Sequence, residues 1–266
     1  MKASANMPLR TTKPVMVNGA LHMLFDFDLS YKPITTDSLA FAVGVFAERR
    51  NEFAIPRARN VTFRSFMFSD IVDVSDDVRP FLRNILTFLH PIYADVRRLL
   101  GIETDNTMSK IDIAVIPNCA SRAFGYPGLI YMEEDLIFNI TSQRAADVPR
   151  IADLRLKLYQ AVLRQYIGGN VTFKFRSDMW FHEGLIEALS LEMHDGQTNE
   201  TMFYDQLLFE KLFPALEIES LQSRHPLREI NTTADYHFDR YLTAKAGFVL
   251  DAFLKLNVSC NKLVIQ

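Results

Sequence analysis

The hydrophobic period of this chain changes once, near Asp76, and that change limits the folds open to it. Before it, Ala20 to Asp28 and Leu39 to Arg49 are apolar, aromatic-rich runs of strand length, and Val61 to Phe66 is a shorter one. Ser30 to Ser38 between them holds turn-forming residues. After it, Val78, Phe81, Leu82, Ile85, Leu89, Ile92, Val96, Leu99 and Leu100 recur at helical spacing. Asp76 reads as the cap of that helix, Gly101 as its stop and Pro91 as an internal kink.

Lys110 to Pro117 alternates as a strand, and Gly128 to Phe138 reads as a second. A long helix then starts near Asp147, with Pro149 in its first turn, and runs to Gly168-Gly169. Asn170 to Phe175 is a short extended link. Ser177 caps a helix that runs to about His194 and stops at Gly196, and two more are expected over Glu200 to Phe213 and Asp235 to Leu256. Strands first, then a mixture, then helices: the order predicts an α+β chain.

Composition narrows the function. The 266 residues are 48% hydrophobic and 12% aromatic, enough for a sizeable core. A formal net charge of -3 supplies no basic field for generic nucleic-acid binding. Apolar stretches such as Leu39 to Phe46 fall far short of the roughly 18 residues a membrane span needs. Met1 to Lys13 is polar and lacks the apolar core of a signal peptide. Two cysteines, Cys119 and Cys260, exclude a disulfide framework and a cysteine-rich zinc site, and leave one disulfide open. Six Asn-x-Ser/Thr sequons, at Asn60, Asn139, Asn170, Asn199, Asn231 and Asn257, point to an extracellular or lumenal glycoprotein.

Arg155 to Leu191 carries the most specific pattern: helix, glycine turn, short extended piece, then a helix opening Asp-x-Trp-x-x-Glu-Gly. It resembles the M1 family of zinc aminopeptidases, whose pattern is HExxHQ(W)(F)GN–VT–K–D–W–NEG. The matching positions are Gln165, Tyr166, Gly168, Val171, Thr172, Lys174, Asp178, Trp180, Glu183 and Gly184, in an ungapped register. Eighteen residues separate Arg164 from Glu183, the family's spacing from its second zinc histidine to its zinc glutamate. Upstream, Ala123 to Glu134 resembles the family's GAMEN-WGL segment, and Pro33 to Phe46 resembles the strand that ends its N-terminal β domain. Downstream, Phe238 to Ala246 resembles the segment closing on Tyr-x-Lys-Gly. The resemblance covers about residues 20 to 256.

It implies a remnant of a β-sandwich or saddle domain over residues 1–56, then a thermolysin-like zincin domain over 57–266, mostly helical toward its C-terminus and incomplete there. On this expectation the chain is a slice of a longer architecture that begins before Met1 and continues past Gln266. That would account for six sequons without a leader.

The resemblance also implies a site whose chemistry is gone. A zincin needs histidines at i and i+4 of one helix face, a carboxylate from the next helix and an open position for water. The two histidine positions are Gln160 and Arg164, a neutral amide and a permanent cation. The general base is replaced by Ala161, which cannot accept a proton. Gly125 takes the place of the glutamate that anchors a substrate's α-amine, and Thr243 that of the oxyanion-stabilising tyrosine. Tyr241 lies two residues away, which on a helix points it elsewhere. Of the ligand set only Glu183 remains.

The resemblance therefore implies zinc for the family and no cofactor for this chain. Arg164 and Glu183 are expected to form a partly buried ion pair at the former zinc position, sparing Glu183 burial as an unpaired charge.

Other residues read more plainly. His182-Glu183 begins like an HExxH motif but fails at Ile186. His194 reads as a cation near a helix C-terminus, His22 and His90 as core histidines, Trp180 and Tyr166 as packing residues, and Lys245 as a partner for local carbonyls or an acid. His237 falls just outside the expected core. The reading is a pseudopeptidase that binds peptides or a protein partner. The alternative is an active zinc aminopeptidase with an atypical metal site built from His182, Glu183, His194 or His237.

Overall fold

The computed structural model describes residues 2–28, 38–53, 61–68, 78–102, 109–119, 122–138, 148–169, 171–198, 212–213, 216–217 and 240–256. The chain divides into two compact units, Met1–Gln165 and Tyr166–Gln266. The expected boundary at 56/57 falls in the connection between two strands that pair within one sheet of the first unit.

In the first unit, strands β1 (Lys2–Ala5) and β4 (Phe41–Gly44) pair antiparallel, as do β2 (Leu9–Val17) and β3 (Ala20–Phe27). Neither β1 nor β2 is anticipated by the sequence reading. The β2–β3 turn is Asn18-Gly19, with φ of 50° and 80°, the pair of left-handed residues that a two-residue hairpin favours.

A five-stranded sheet follows, ordered β5-β6-β7-β9-β8: β5 (Phe46–Phe53), β6 (Val61–Phe68), β7 (Lys110–Ile116), β8 (Ala123–Tyr126) and β9 (Leu129–Glu133). The β6–β7 and β7–β9 pairs are parallel, the outer two antiparallel. Parallel neighbours need a long crossover, and β6 to β7 is bridged by helix α1 (Val78–Leu99). Leu39 to Arg49, expected as one strand, is split at Val45 between β4 and β5. Gly128 to Phe138 resolves into β9 and a one-turn helix α2 (Asp135–Phe138).

The core lies between this sheet and its helices. Ile111, Ile113 and Val115 of β7 are buried, as are Ile85, Leu89, Ile92 and Val96 of α1. The Phe63 and Tyr93 rings meet edge to face, with centroids 5.4 Å apart. Helix α3 (Val148–Leu163) supplies Leu154, Leu158 and Ala161 at i, i+4 and i+7, all buried. A second cluster joins Ala40, Ala42 and Phe46 to Phe66, Ala114 and Leu129.

Within this β structure, Asp112 is fully buried and receives four donors. Arg64 reaches it bidentately at 2.8 and 2.6 Å, Lys110 Nζ at 2.6 Å, and Ser4 Oγ completes the set. Lys110 also donates to the Ala5 carbonyl. The cluster therefore ties β1 to the five-stranded sheet, and satisfied donors are what make a buried carboxylate tolerable. Burial pushes the Lys110 ammonium below its ordinary value, against the pull of Asp112.

In the second unit, a 3-10 turn (Arg176–Asp178) leads into α4 (Met179–Thr198), which packs on α5 (Arg240–Leu256). Two glycines make the crossing close. A Cβ on Gly184 would lie 2.8 Å from the carbonyl carbon and Cβ of Ala246, and one on Gly247 would lie 2.7 Å from Glu187 Cβ. The helix expected over Glu200 to Phe213 falls almost wholly outside the described residues, as do His237, Cys260 and all six sequon asparagines.

Candidate functional site

The expected site residues divide between the units. Gly125, Gln160, Ala161 and Arg164 belong to the first, Glu183 and Thr243 to the second. In the first unit, the C-terminal half of α3 and the edge strand β8 come together.

Gln160 is 8% exposed, and its Oε1 accepts from Lys157 Nζ at 3.3 Å one turn back. Ala161 is buried. Just past the end of α3, the half-buried Arg164 places its guanidinium over the Phe124 ring of β8, 4.5 Å from the centroid. Its N–H still donates to the Gln160 carbonyl at 3.0 Å, so position 164 continues the helical spiral. Phe124 in turn sits 5.0 Å from the Tyr126 ring.

Gly125, the next residue of β8, lies against Ala161. An added Cβ would fall on the Ala161 carbonyl oxygen and lie 2.9 Å from its Cα and carbonyl carbon. Only glycine lets the strand approach the helix backbone this closely.

Gln165 fixes the same contact from the other side and is fully buried. Its Nε2 donates to the carbonyls of Tyr126 at 2.9 Å and Ala161 at 3.0 Å, and its Oε1 accepts the Gly128 N–H at 2.6 Å. One amide thus binds α3 to the β8–β9 turn. Pro127 and Gly128, the latter at φ 79°, occupy the two central positions of that turn in the order a type II turn prefers. The sequence reading places Gln165 only as a motif match; its buried, polar, fully bonded character is a property of the tertiary fold.

In the second unit Glu183 is half-buried on α4, and Thr243 and Lys245 are half-buried on α5. Trp180 is half-buried and Tyr166 buried. His182 is 9% exposed and stands edge-on to Phe173, with centroids 5.1 Å apart. Three histidine expectations need correction. His194 is 1% exposed, and it lies inside α4 rather than at its end, since α4 continues past Gly196 to Thr198. His22 and His90 are exposed: His22 stands on a hairpin solvated on both faces, and His90 on the outer side of α1.

The α3 residues do not fit zinc. An amide bonded to lysine, a methyl group and a guanidinium stacked on a ring offer neither an imidazole nor a carboxylate. Among the described residues, no three His, Cys, Asp or Glu side chains converge as a metal site would require.

The chain combines strands and helices, and the sequence motifs lie on β8, α3 and α4. Residues 101–258 match the peptidase family M1 domain, and the chain belongs to that family. Among individual relatives, it is similar to glutamyl aminopeptidase of Homo sapiens, 29% identical over 131 residues, and to that of Sus scrofa, 28% identical over 122. It is also similar to endoplasmic reticulum aminopeptidase 1 of Homo sapiens, 27% identical over 121 residues. These matches cover 48, 46 and 45% of this chain and only 13, 13 and 12% of those proteins.

Proposed function

We propose that this chain is a non-catalytic M1 homologue, a pseudopeptidase that acts by binding a peptide or a protein. The observation that carries the reading is the composition of α3 and the turn after it. Where the family's pattern has two histidines and a glutamate, this chain has a lysine-bonded amide, a buried methyl group and a guanidinium held on Phe124. None of the three binds zinc as a neutral imidazole does, and none takes a proton from water. Family membership makes a peptide the natural class of ligand.

Further parts of the proposal rest on sequence resemblance. Residues 1–56 are a remnant of an N-terminal β domain, and 57–266 a thermolysin-like domain. Arg164 and Glu183 form an ion pair at the former zinc position. The chain is an extracellular or lumenal glycoprotein carrying glycans at its sequons. Among the described residues, no helix is long and apolar enough to cross a membrane.

The test is hydrolysis of a panel of aminoacyl anilides by purified protein, with and without added zinc. The expected result is no turnover above the buffer rate in either condition. Zinc-dependent turnover abolished by Glu183→Ala would replace this reading with an active aminopeptidase using an atypical metal site.

A further inference from the structure

Three contacts run along one seam between β8 and α3: Phe124 with Arg164, Gly125 with Ala161, and Tyr126 and Gly128 with Gln165. The middle contact is backbone against backbone. A side chain at 125 is blocked by the Ala161 carbonyl itself, so no substitution at 161 makes room for it. What is missing at 125 is therefore the space for a side chain as well as the carboxylate.

We propose that the Gly125–Ala161 backbone contact, held by Gln165, closes the β8–α3 seam, so that a peptide's protonated amino terminus finds no place there. Gln165 is the positioning residue. Its amide spends both donors and its acceptor on the seam, with Ala161 on the helix side and Tyr126 and Gly128 on the strand side. Separating β8 from α3 would break the two strand-side bonds and leave the buried Gly128 N–H and Gln165 Oε1 unsatisfied, which is unfavourable. The proposal deepens the binding reading above and rests on it, because it states which feature of a peptide this surface ignores.

Three measurements on the full chain test it. The first is Gly125→Ala. In open space an alanine in a strand is favoured over glycine, so an open seam predicts a higher melting temperature. A closed seam predicts a fall of more than about 4 °C, or failure to fold. An unchanged or raised Tm overturns the proposal.

The second is amide hydrogen exchange at Gly128 in the wild type and in Gln165→Leu. Loss of protection at Gly128 well beyond that of the buried β7 amides is expected, whereas a general loss of stability would move both together. Protection unchanged at Gly128, or lost equally in β7, overturns the role of Gln165.

The third uses the unmodified protein and a C-terminally fluorescein-labelled EAAAK peptide, with its amino terminus free or acetylated, read by anisotropy. Equal affinity for both supports the closed seam and the peptide-binding reading. Binding of neither supports the closed seam and removes that peptide as a ligand. A preference of tenfold or more for the free amine overturns the closed seam and leaves peptide binding intact.

Discussion

The guanidinium of Arg164 lies over the ring of Phe124, 4.5 Å from its centroid. The pair joins the residue just past the end of α3 to the edge strand β8. A cation desolvated on an aromatic face is worth roughly 0.5–2 kcal/mol. A double-mutant cycle with Arg164→Ala and Phe124→Ala, followed by urea unfolding, is expected to give a coupling in that range. Strict additivity would mean that the stacking contributes nothing in solution.

Asp112 should be the most expensive charge to remove. It is fully buried beneath Arg64, Lys110 and Ser4, and its loss leaves the buried Lys110 and the half-buried Arg64 without the carboxylate they share. Asp112→Ala is expected to lower unfolding free energy by about 3–5 kcal/mol, measured by urea titration. Exchange protection in β1 should fall first, since β1 is tied to the sheet through Ser4 and the Ala5 carbonyl.

The close helix crossing of the second unit gives a prediction whose sign opposes propensity. Alanine is favoured over glycine in a helix by roughly 1 kcal/mol. A Cβ on Gly184 nevertheless meets Ala246 at 2.8 Å, and one on Gly247 meets Glu187 at 2.7 Å or closer. Gly184→Ala and Gly247→Ala should each destabilise by about 1–3 kcal/mol by denaturant unfolding. Stabilisation of either would show that α4 and α5 pack less closely than described.

Tyr159 supplies an alkaline signature. Burial, with Asp95 beside its hydroxyl at 3.4 Å, pushes its phenol up to about 12 from an ordinary value of 10. In the unfolded chain the phenol ionises first. The native state therefore binds more protons between pH 10 and 12, and the stability contributed by Tyr159 is present below pH 10 and lost as pH rises through that window. Wild-type stability should fall more steeply over this interval than that of Tyr159→Phe. Parallel pH profiles would contradict the shift.

Local patterns carry much of this architecture without any tertiary contact. The helical run after Asp76 became α1, with Gly101 at φ 66° behind it, and Lys110 to Pro117 became β7 to within a residue. The Asn18-Gly19 hairpin carries a readable turn signal, but the polar residues of Leu9 to Lys13 hide the strand before it. Strand β8 was not legible because four residues, Ala-Phe-Gly-Tyr, hold too little pattern, and its strand state comes from pairing with β9. Register alone aligns positions 160, 161, 164 and 125 with the family's site residues. That Gly125 abuts Ala161 and that Arg164 rests on Phe124 is not legible in register, since both depend on how an edge strand meets a helix thirty-six and forty residues later in the chain.

Zinc stoichiometry decides whether this member of the family holds a metal. Purified wild type and Glu183→Ala are dialysed to equilibrium against micromolar zinc at pH 7, and bound metal is counted by mass spectrometry. Background zinc in both, unchanged by the substitution, is the predicted result. Close to one zinc per chain in the wild type, lost in Glu183→Ala, would contradict it.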